Sequence, residues 1–426
     1  MKKIYPLMLL SVVMSMTACT NAKPKLAFNI DINLNAITEE FDTHTKVQET
    51  YLEDDYKNID KYGKGTKEQS KPNTLDLTWN LANFDVNLTG LRLEISEDDK
   101  MSNPKSIMLS SDATKATVDN FKVGTTYYWT ITAISDEKEV TSEPSSFSTK
   151  DDLVRFINID GASNVRDIGG WTGLDGKKIK QGLLYRGNEW NQQNYKGYSK
   201  DDETERAKDK PYGMSITQKG IDTVVNDLKI ISEVDVRGYE TFDWETNKNE
   251  RPTECGGLTN GHGLIDEVKY VINPVHTSRD KIYYDSYGKA AVKNFFTMLA
   301  DKENYLPMYF HCSQGKDRTG FIAYLFEAFL GVSDEDMMRD YLLSNLGNIN
   351  GSVSISKLVG SNANYNYVDY LDGKLVSTKD IKDDAGKTIS YKAEGDTQAE
   401  RAYNYLLECG LSEEQLDTIR DTFLEE

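Results

Sequence analysis

The stretch YFHCSQGKDRTG, Tyr309 to Gly320, places a cysteine, a lysine, an aspartate and an arginine between two apolar segments. The preceding segment, Leu306–Phe310, predicts a buried strand, and the following segment, Thr319–Gly331, predicts a buried helix. A loop that joins a strand to a helix in this way points successive backbone N–H groups toward the helix N-terminus, where they can hold an anion. The stretch therefore predicts an anion-binding loop in an α/β fold, and phosphate is the ligand that best suits such a loop.

The chemistry of this loop depends on Cys312 and Arg318. A positive helix end and a nearby guanidinium favour a thiolate, and cysteines in such settings have pKa values of about 3.5 to 7.5 instead of 8.5. Five residues separate Cys312 from Arg318, so a curled loop can bring the planar guanidinium to two oxygens of the group under attack. The pattern predicts attack on phosphorus, a phosphocysteine intermediate and its hydrolysis by water.

Residues 150–426 alternate between predicted strands and helices. Lys229–Gly238 predicts a buried strand. Helical spacing or a capping pattern predicts helices over four segments, Ile216–Leu228, Ser286–Asp301, Ser333–Asn345 and Ser412–Leu424. This alternation predicts one α/β domain with a central, largely parallel sheet flanked by helices.

Residues 72–149 contain short β-branched and aromatic runs separated by Asn, Gly, Asp and Pro, which predicts a small all-β sandwich. The segment Asn120–Ile134 resembles the fibronectin type III pattern. The resemblance implies a fibronectin- or immunoglobulin-like sandwich with Tyr127 in a tyrosine corner and Trp79 in the core. Such modules are more often spacers or docking units than catalysts, and the partner of this one stays open.

Residues 1–18 combine two lysines with a short apolar run, which predicts a bacterial export signal rather than a membrane span. The sequence Met-Thr-Ala-Cys ending at Cys19 resembles a lipoprotein processing box and implies lipidation of Cys19. An ordinary cleaved signal with an incidental cysteine is the alternative. Residues 19–71 are polar and predict a spacer, although Phe28–Ile37 alternates like a strand. We expect an exported protein whose lipid anchor in the bacterial cell envelope is its only membrane contact.

The net charge and the spacing of the cysteines and histidines argue against two further functions, nucleic-acid binding and metal binding. Lys plus Arg count 50 and Asp plus Glu 69, so the net charge of -19 argues against a nucleic-acid partner. The cysteines show no paired spacing, and the four histidines, His44, His262, His276 and His311, are scattered. The sequence therefore predicts no metal site.

The signature loop and three further segments resemble the protein tyrosine phosphatase superfamily, whose motif is Cys-x5-Arg followed by Thr. HCSQGKDRTG is similar to the bacterial branch of exported tyrosine and dual-specificity phosphatases, some of which also act on phosphoinositides. The further segments are SNVRDIGGW (Ser163–Trp171), LLYRGNE (Leu183–Glu189) and EVDVRGYET (Glu233–Thr241). The resemblance implies a tyrosine-phosphatase-type α/β domain that hydrolyses phosphomonoesters without a cofactor.

The resemblance also assigns roles to single residues. It implies that Cys312 is the nucleophile, that Arg318 clamps the phosphate and that Thr319 hydrogen-bonds the Cys312 sulfur. It makes His311 an organiser of the loop. Residues that line the phosphate cradle are implied to bind substrate, and they are Ser313, Gln314, Gly315 and Lys316.

The general acid is open between Asp317, inside the loop, and Asp235, at the end of the strand in Glu233–Thr241; Asp280 is a weaker third. The acid must be neutral to protonate the leaving oxygen. Arg166 and Asp167, with Arg186, belong to the similar segments.

Two roles stay open for Arg166, Asp167 and Arg186, which either contact the substrate or form structural pairs. Lys316 would favour a second phosphate on the substrate, unless its side chain is simply exposed to solvent. Two charged or polar insertions, Asn191–Lys210 and Ser352–Glu400, could form a lid over the cleft, although most such insertions are surface loops.

These expectations give a lipid-anchored, exported cysteine phosphatase that acts on phosphorylated proteins. Two alternatives stay open. The same chemistry could act on phosphoinositides or inositol phosphates, or the phosphatase domain could be idle in a surface-binding lipoprotein whose sandwich does the work.

Overall fold

The structure, a computed structural model, describes residues 30–54, 67–83, 87–136, 138–190, 216–237, 241–243, 248–250, 257–261, 263–275, 286–347 and 393–426. The predicted export signal, Cys19, Asp280, the insertion Asn191–Lys210 and most of Ser352–Glu400 lie outside these residues. Within the described ranges, no helix is both long enough and apolar enough to cross a membrane.

The N-terminal region is a β-sandwich, as the sequence predicts. Its strands are β1 (Asp31–Leu34), β2 (Leu75–Ala82), β3 (Gly90–Ser96), β4 (Lys105–Leu109), β5 (Lys115–Val118), β6 (Thr126–Ile134), β7 (Glu139–Thr141) and β8 (Ser145–Ser148). One sheet has the order β1-β2-β5, and the other has the order β4-β3-β6-β7 with β8 paired to β6. Alternate residues such as Leu77, Trp79, Leu91 and Leu93 are buried, so the two inner faces form one core.

Tyr127 and Trp79 lie where the fibronectin resemblance places them. The Tyr127 hydroxyl accepts a hydrogen bond from the backbone N–H of Lys122 at 2.8 Å. Trp79 is 1% exposed and packs in the sandwich core. Both residues therefore fix the corner and the interior of the module.

Strand β1 lies inside the stretch predicted as a spacer, residues 19–71. It pairs antiparallel with β2. Ile30 is buried in the sandwich core, and Ile32 and Leu34 pack against it. The alternation over Phe28–Ile37 therefore does form a strand, as the sequence allowed, and this part of residues 19–71 belongs to the sandwich rather than to a spacer.

A helix in the same stretch, α1 (Lys46–Glu53), joins the two domains. It begins after Thr45, and Thr45 and Gln48 form a capping box. Its Tyr51 is 1% exposed and packs in the core of the C-terminal domain. The N-terminal segment thus contributes to both domains.

The sandwich is hydrogen-bonded to the start of the C-terminal domain. Arg155 donates to the backbone carbonyl of Asn120 at 2.6 Å, and the Asn158 N–H donates to the Asn120 side chain at 2.6 Å. The Gln181 side chain exchanges two hydrogen bonds of 3.0 Å with the backbone of Val123. The two domains therefore meet through specific polar contacts.

The C-terminal domain is built on a mixed sheet. Its strands are β9 (Arg166–Asp167), β10 (Leu184–Gly187), β11 (Ser232–Asp235), β14 (Thr259–Gly261), β15 (Lys269–Ile272) and β16 (Met308–His311), beside a separate pair, β12 (Thr241–Asp243) and β13 (Lys248–Glu250). The order is β14-β15-β11-β16-β10-β9. The four central strands are parallel and the two edge strands are antiparallel, which confirms the largely parallel sheet.

Helices accompany this sheet as the sequence predicts. They are α2 (Gln218–Asp222), α3 (Ser286–Ala300), α4 (Lys302–Tyr305), α5 (Asp317–Phe329), α6 (Asp334–Leu343), α7 (Gln398–Glu408) and α8 (Glu413–Phe423). The predicted caps are present at Thr217, Ser333 and Ser412. Helix α2 continues as a π-helical turn over Thr223–Asp227.

The register of the parallel strands positions the functional loop. His311, the last residue of β16, lies opposite Gly187 of β10 on one side and Asp235 of β11 on the other. The chain leaves β16 at its carboxyl end, where ligands of open α/β sheets bind. The loop after His311 therefore begins between the ends of two neighbouring strands.

Candidate active site

The loop Cys312–Lys316 connects β16 to α5. Gly315 has a positive φ of 65°, and a Cβ at this position would lie 2.1 Å from the Gly187 carbonyl oxygen. Only glycine tolerates both the conformation and the close approach. The end of β10 thus sets the path of the loop.

Cys312 is 4% exposed at the start of this loop. Burial raises the pKa of its thiol, but the Arg318 charge, the hydroxyl and N–H of Thr319 and the N–H of Gln314 outweigh burial and lower that pKa below its ordinary value. The buried Thr319 oxygen has no other hydrogen-bond partner in the described part of the chain. These groups favour a thiolate, the form that acts as a nucleophile.

Two cations of the loop form no ion pair with any described residue. Arg318 is half-buried, and its charge is the largest of the contributions that lower the pKa of Cys312. Lys316 is only 9% exposed, which disagrees with the alternative that its side chain is simply exposed to solvent. A buried cation without an anionic partner is costly, and both residues therefore point to a site that an anion completes.

The loop carbonyls are held from below by Arg186 and Asn164. Arg186 donates to the Gly315 carbonyl at 2.9 Å. The Asn164 amide donates to the Gln314 carbonyl at 3.0 Å and to the Gly315 carbonyl at 3.3 Å. Fixing these carbonyls on the buried side fixes the peptide planes of the loop, which orients their N–H groups for an anion.

Asp340 joins the two arginines beneath the loop. Its carboxylate accepts from Arg166 Nε at 2.6 Å and from Arg186, and its backbone carbonyl accepts a second bond of 2.6 Å from Arg166. Arg166 also donates to the Asn164 side chain at 2.8 Å. All of these side chains are at most 2% exposed, so they form a buried network under the loop.

Glu327 of α5 lies beside this network. It is 1% exposed, and burial and the charge of Asp340 raise its pKa well above the ordinary value, while the charges of Arg186 and Arg166 act in the opposite direction. The two guanidinium groups under the loop favour a bound anion there.

Arg166 and Asp167 are buried away from any open surface, at 1% and 0% exposure. Asp167 pairs with Arg155 at 3.1 Å and accepts from the N–H groups of Gly169 and Gly182 at 2.8 and 2.6 Å. This geometry favours structural pairing over substrate contact for both residues.

The two candidate acids have different surroundings. Asp317, the first residue of α5, is half-buried and accepts a hydrogen bond of 3.0 Å from the Tyr341 hydroxyl. Asp235 is 0% exposed and accepts from Arg237 at 2.8 Å and from Tyr270 at 2.7 Å. Burial raises the pKa of Asp235, but the charges of Arg237 and His311 outweigh burial and lower it to about 2.

His311 is fully buried behind the loop. Its Nδ1 lies 3.0 Å from the Cys312 carbonyl, an acceptor, so this nitrogen donates. Its Nε2 lies 2.9 Å from Glu233. Both contacts agree with the predicted role as a loop organiser.

The structure brings Cys312, Asp317, Arg318 and Thr319 together, with the loop amides of Ser313 to Lys316 between them. Three residues of the buried network are not among those predicted from the sequence, namely Asn164, Glu327 and Asp340. Asn164 stands beside Arg166 in the segment SNVRDIGGW, which is the one signal that could have identified it.

Comparisons with known proteins agree with this geometry. The model of the tyrosine phosphatase family matches residues 157–201 and 217–425. A protein of Cupriavidus necator that is named as a tyrosine-protein phosphatase is 28% identical over 200 residues, which cover 45% of this chain and 64% of the relative. The chain thus spans less than two thirds of that relative's length.

Two solved structures resemble a short part of the chain. One is a redesigned β-sandwich protein, with 22% identity, a TM-score of 0.17 and coverage of 18% of this chain and 80% of the other. The second is a myokine, with 19% identity, a TM-score of 0.16 and coverage of 18% and 83%. Scores this low support no argument about either domain.

Proposed function

The chain belongs to the tyrosine phosphatase family, and we propose that it is a cysteine-dependent phosphomonoester hydrolase that acts as a protein tyrosine or dual-specificity phosphatase. One observation carries the proposal. Cys312, with a lowered pKa, shares a strand–loop–helix unit with Arg318, which has no ion-pair partner among the described residues. A nucleophile and an unpaired cation at an anion-binding loop are what phosphoryl transfer requires.

The proposed reaction has two steps. The Cys312 thiolate attacks phosphorus, the bond between phosphorus and the ester oxygen breaks, and Asp317 gives its proton to that oxygen. Water then attacks the phosphocysteine, the carboxylate of Asp317 takes the water proton, and the thiolate leaves. Arg318 and the loop N–H groups hold the phosphoryl oxygens in both steps, and the Thr319 hydroxyl supports the departing thiolate.

Asp317 is the proposed general acid. The carboxylate of Asp235 is buried against Arg237, and its pKa of about 2 keeps it ionised at neutral pH. An ionised carboxylate has no proton to give. Asp235 therefore suits a structural role at the end of β11.

A phosphorylated protein is the proposed substrate, and phosphoinositides or inositol phosphates are the second candidate. The second candidate draws support from Lys316, a buried cation without an ion-pair partner among the described residues. A substrate with a second phosphate could neutralise it. The idle-domain alternative has less support, since the sequence contains all four of Cys312, Asp317, Arg318 and Thr319.

We also propose export and lipid anchoring through Cys19, on the basis of residues 1–19. Bacteria that express the chain can be grown with a radioactive fatty acid. We expect the label to be incorporated into the wild type and not into Cys19→Ser. Equal labelling of both would contradict the anchor.

The first test is hydrolysis of an aryl phosphate and of phosphotyrosine peptides by the purified chain with chelator present. We expect turnover that is lost in Cys312→Ser. Turnover retained by Cys312→Ser would refute the thiolate mechanism. In parallel, a selective loss of phosphoinositide turnover in Lys316→Ala would favour the second substrate class, whereas absence of turnover on all these substrates would favour the idle domain.

A further inference from the structure

Three side chains of metal-ligand type meet near the junction of the two domains. Asp42, His44 and Asp152 each place one ligand atom within 4.8 Å of the other two. The His44 side chain is 2% exposed, while the Asp42 and Asp152 side chains are 18% and 38% exposed. None of the three belongs to the phosphatase loop, so this group is independent of the proposed reaction.

The hydrogen bonding of His44 fixes which ring nitrogen is available. Nε2 lies 2.5 Å from the Val154 carbonyl oxygen. A carbonyl only accepts, so Nε2 carries the hydrogen, and Nδ1 is the ring nitrogen left to bind a metal. Nδ1 is 3.7 Å from a carboxylate oxygen of Asp152. This is the arrangement by which a carbonyl orients a metal-binding histidine.

The ligand atoms are held by two adjacent stretches of backbone. The Lys150 N–H donates to the Phe41 carbonyl at 2.9 Å, which places the chain before Asp42 beside the chain before Asp152. The His44 N–H donates to the Asp42 side chain at 2.9 Å. The group is therefore organised before any ligand arrives.

We propose that Asp42, His44 and Asp152 bind one first-row divalent cation, for which Zn²⁺ is the best fit. One imidazole and two carboxylates are ligands that Zn²⁺ accepts, at about 2.0 to 2.2 Å from the metal. Tetrahedral ligands at such distances lie roughly 3.3 Å apart, so a small movement of the partly exposed Asp152 closes the site. Water completes the coordination, and two carboxylates balance the charge of the ion.

The Lys150 side chain lies against Asp42, one of the three proposed ligands. Its ammonium is 2.7 Å from Asp42 and its side chain is 46% exposed. It can turn into solvent at little cost when the cation binds, because exposed ion pairs contribute little. The bound ion would tie the segment of Asp42 and His44 to the linker at Asp152 that leads from the sandwich into the phosphatase domain.

The test is a titration of the chelator-treated full chain with Zn²⁺ and with Co²⁺, in a Cys312→Ser background that removes the loop thiolate. We expect one Zn²⁺ per chain by calorimetry and a rise in the thermal midpoint. We also expect Co²⁺ absorption in the visible without a sulfur charge-transfer band.

Asp152→Asn should weaken Zn²⁺ binding at least about tenfold. Asp151→Asn is the matched control, because the neighbouring Asp151 pairs with Lys178 outside the group, and it should bind like the parent. His44→Ala should abolish the Co²⁺ spectrum. If that variant fails to fold, Asp42→Asn takes its place. The proposal is overturned if the parent binds no stoichiometric metal. It is also overturned if Asp152→Asn and Asp151→Asn bind Zn²⁺ equally well, because Asp152 is then not a ligand.

Discussion

The functional loop and a cluster of buried charges lie at the ends of two neighbouring strands, β16 and β11. The cluster consists of Asp235, Arg237 and Glu189. Its charges form ion pairs, whereas the cations at the loop form none with any described residue. In the loop, Arg318 and Lys316 have no ion-pair partner among the described residues. In the cluster, Arg237 is 0% exposed and contacts Asp235 at 2.5 Å and Glu189 at 2.6 Å. The buried pairs leave no charge of the cluster uncompensated, whereas the unpaired charges of the loop suit the substrate anion of the proposed function.

The largest expected effect comes from Arg318→Ala, which removes the unpaired charge. We expect kcat on an aryl phosphate to fall about 10⁴-fold, by analogy with arginines that stabilise transferring phosphoryl groups, while the thermal midpoint stays unchanged. Steady-state kinetics and calorimetry measure both. Arg92→Ala, which breaks a pair with Glu139 in the sandwich, is the control and should leave kcat intact. A loss below tenfold in Arg318→Ala would contradict the clamp.

The paired side of the comparison is tested by Arg237→Met. This change leaves the buried Asp235 without its guanidinium, so we expect the free energy of unfolding to fall by about 3–5 kcal/mol, as measured by urea denaturation. Adding Asp235→Asn removes the stranded charge and should restore part of the loss. If the double variant is no more stable than the single one, the pair does not hold this end of β11.

Asp317→Asn separates the two candidate acids. We expect kcat/KM, which reports formation of the phosphocysteine, to fall about 10²-fold with phenyl phosphate, whose leaving group needs a proton, and to change little with a nitrophenyl ester. Asp235→Asn should lower stability without altering this dependence on the leaving group. The opposite pattern would return the role of acid to Asp235.

The smallest effect concerns the pH dependence of Cys312. Because its pKa is lowered, the thiolate persists to a lower pH than that of an ordinary cysteine and is lost as the pH falls through that lowered value. Thr319→Val removes one lowering contribution, so the pH midpoint of iodoacetamide alkylation should move upward, with a loss of about tenfold in kcat at neutral pH. An unshifted midpoint would show that the hydroxyl does not act on the sulfur.

Much of the fold and the centre of the site could be predicted from the sequence because their signals are local. The strand, the loop and the helix around Cys312 lie within one short stretch, and caps such as Ser412 mark helix starts a few residues away. The exception is the spacer prediction for residues 19–71. That stretch is polar on average, but it contains β1 and α1.

The supporting residues could not be predicted because their contacts are distant in the sequence. Arg166 meets Asp340 across 174 positions, and Asn164 meets Gly315 across 151. Nor does the spacing of His44 reveal Asp152, since 108 positions separate them. Burial and pairing of this kind depend on the assembled fold, which residue patterns in a single sequence do not encode.

Tyr51 bears on how such proteins can be recombined. Its ring lies in the core of the C-terminal domain although the residue stands between the sandwich strands β1 and β2 in the chain, and Asn120 of the sandwich is hydrogen-bonded to Arg155 and Asn158 of the C-terminal domain. A cut at residue 150 therefore does not separate the two domains cleanly, because contacts between them would be lost. The C-terminal domain needs the helix Lys46–Glu53 to complete its core, so we expect a fragment that begins at residue 151 to be less stable than the full chain.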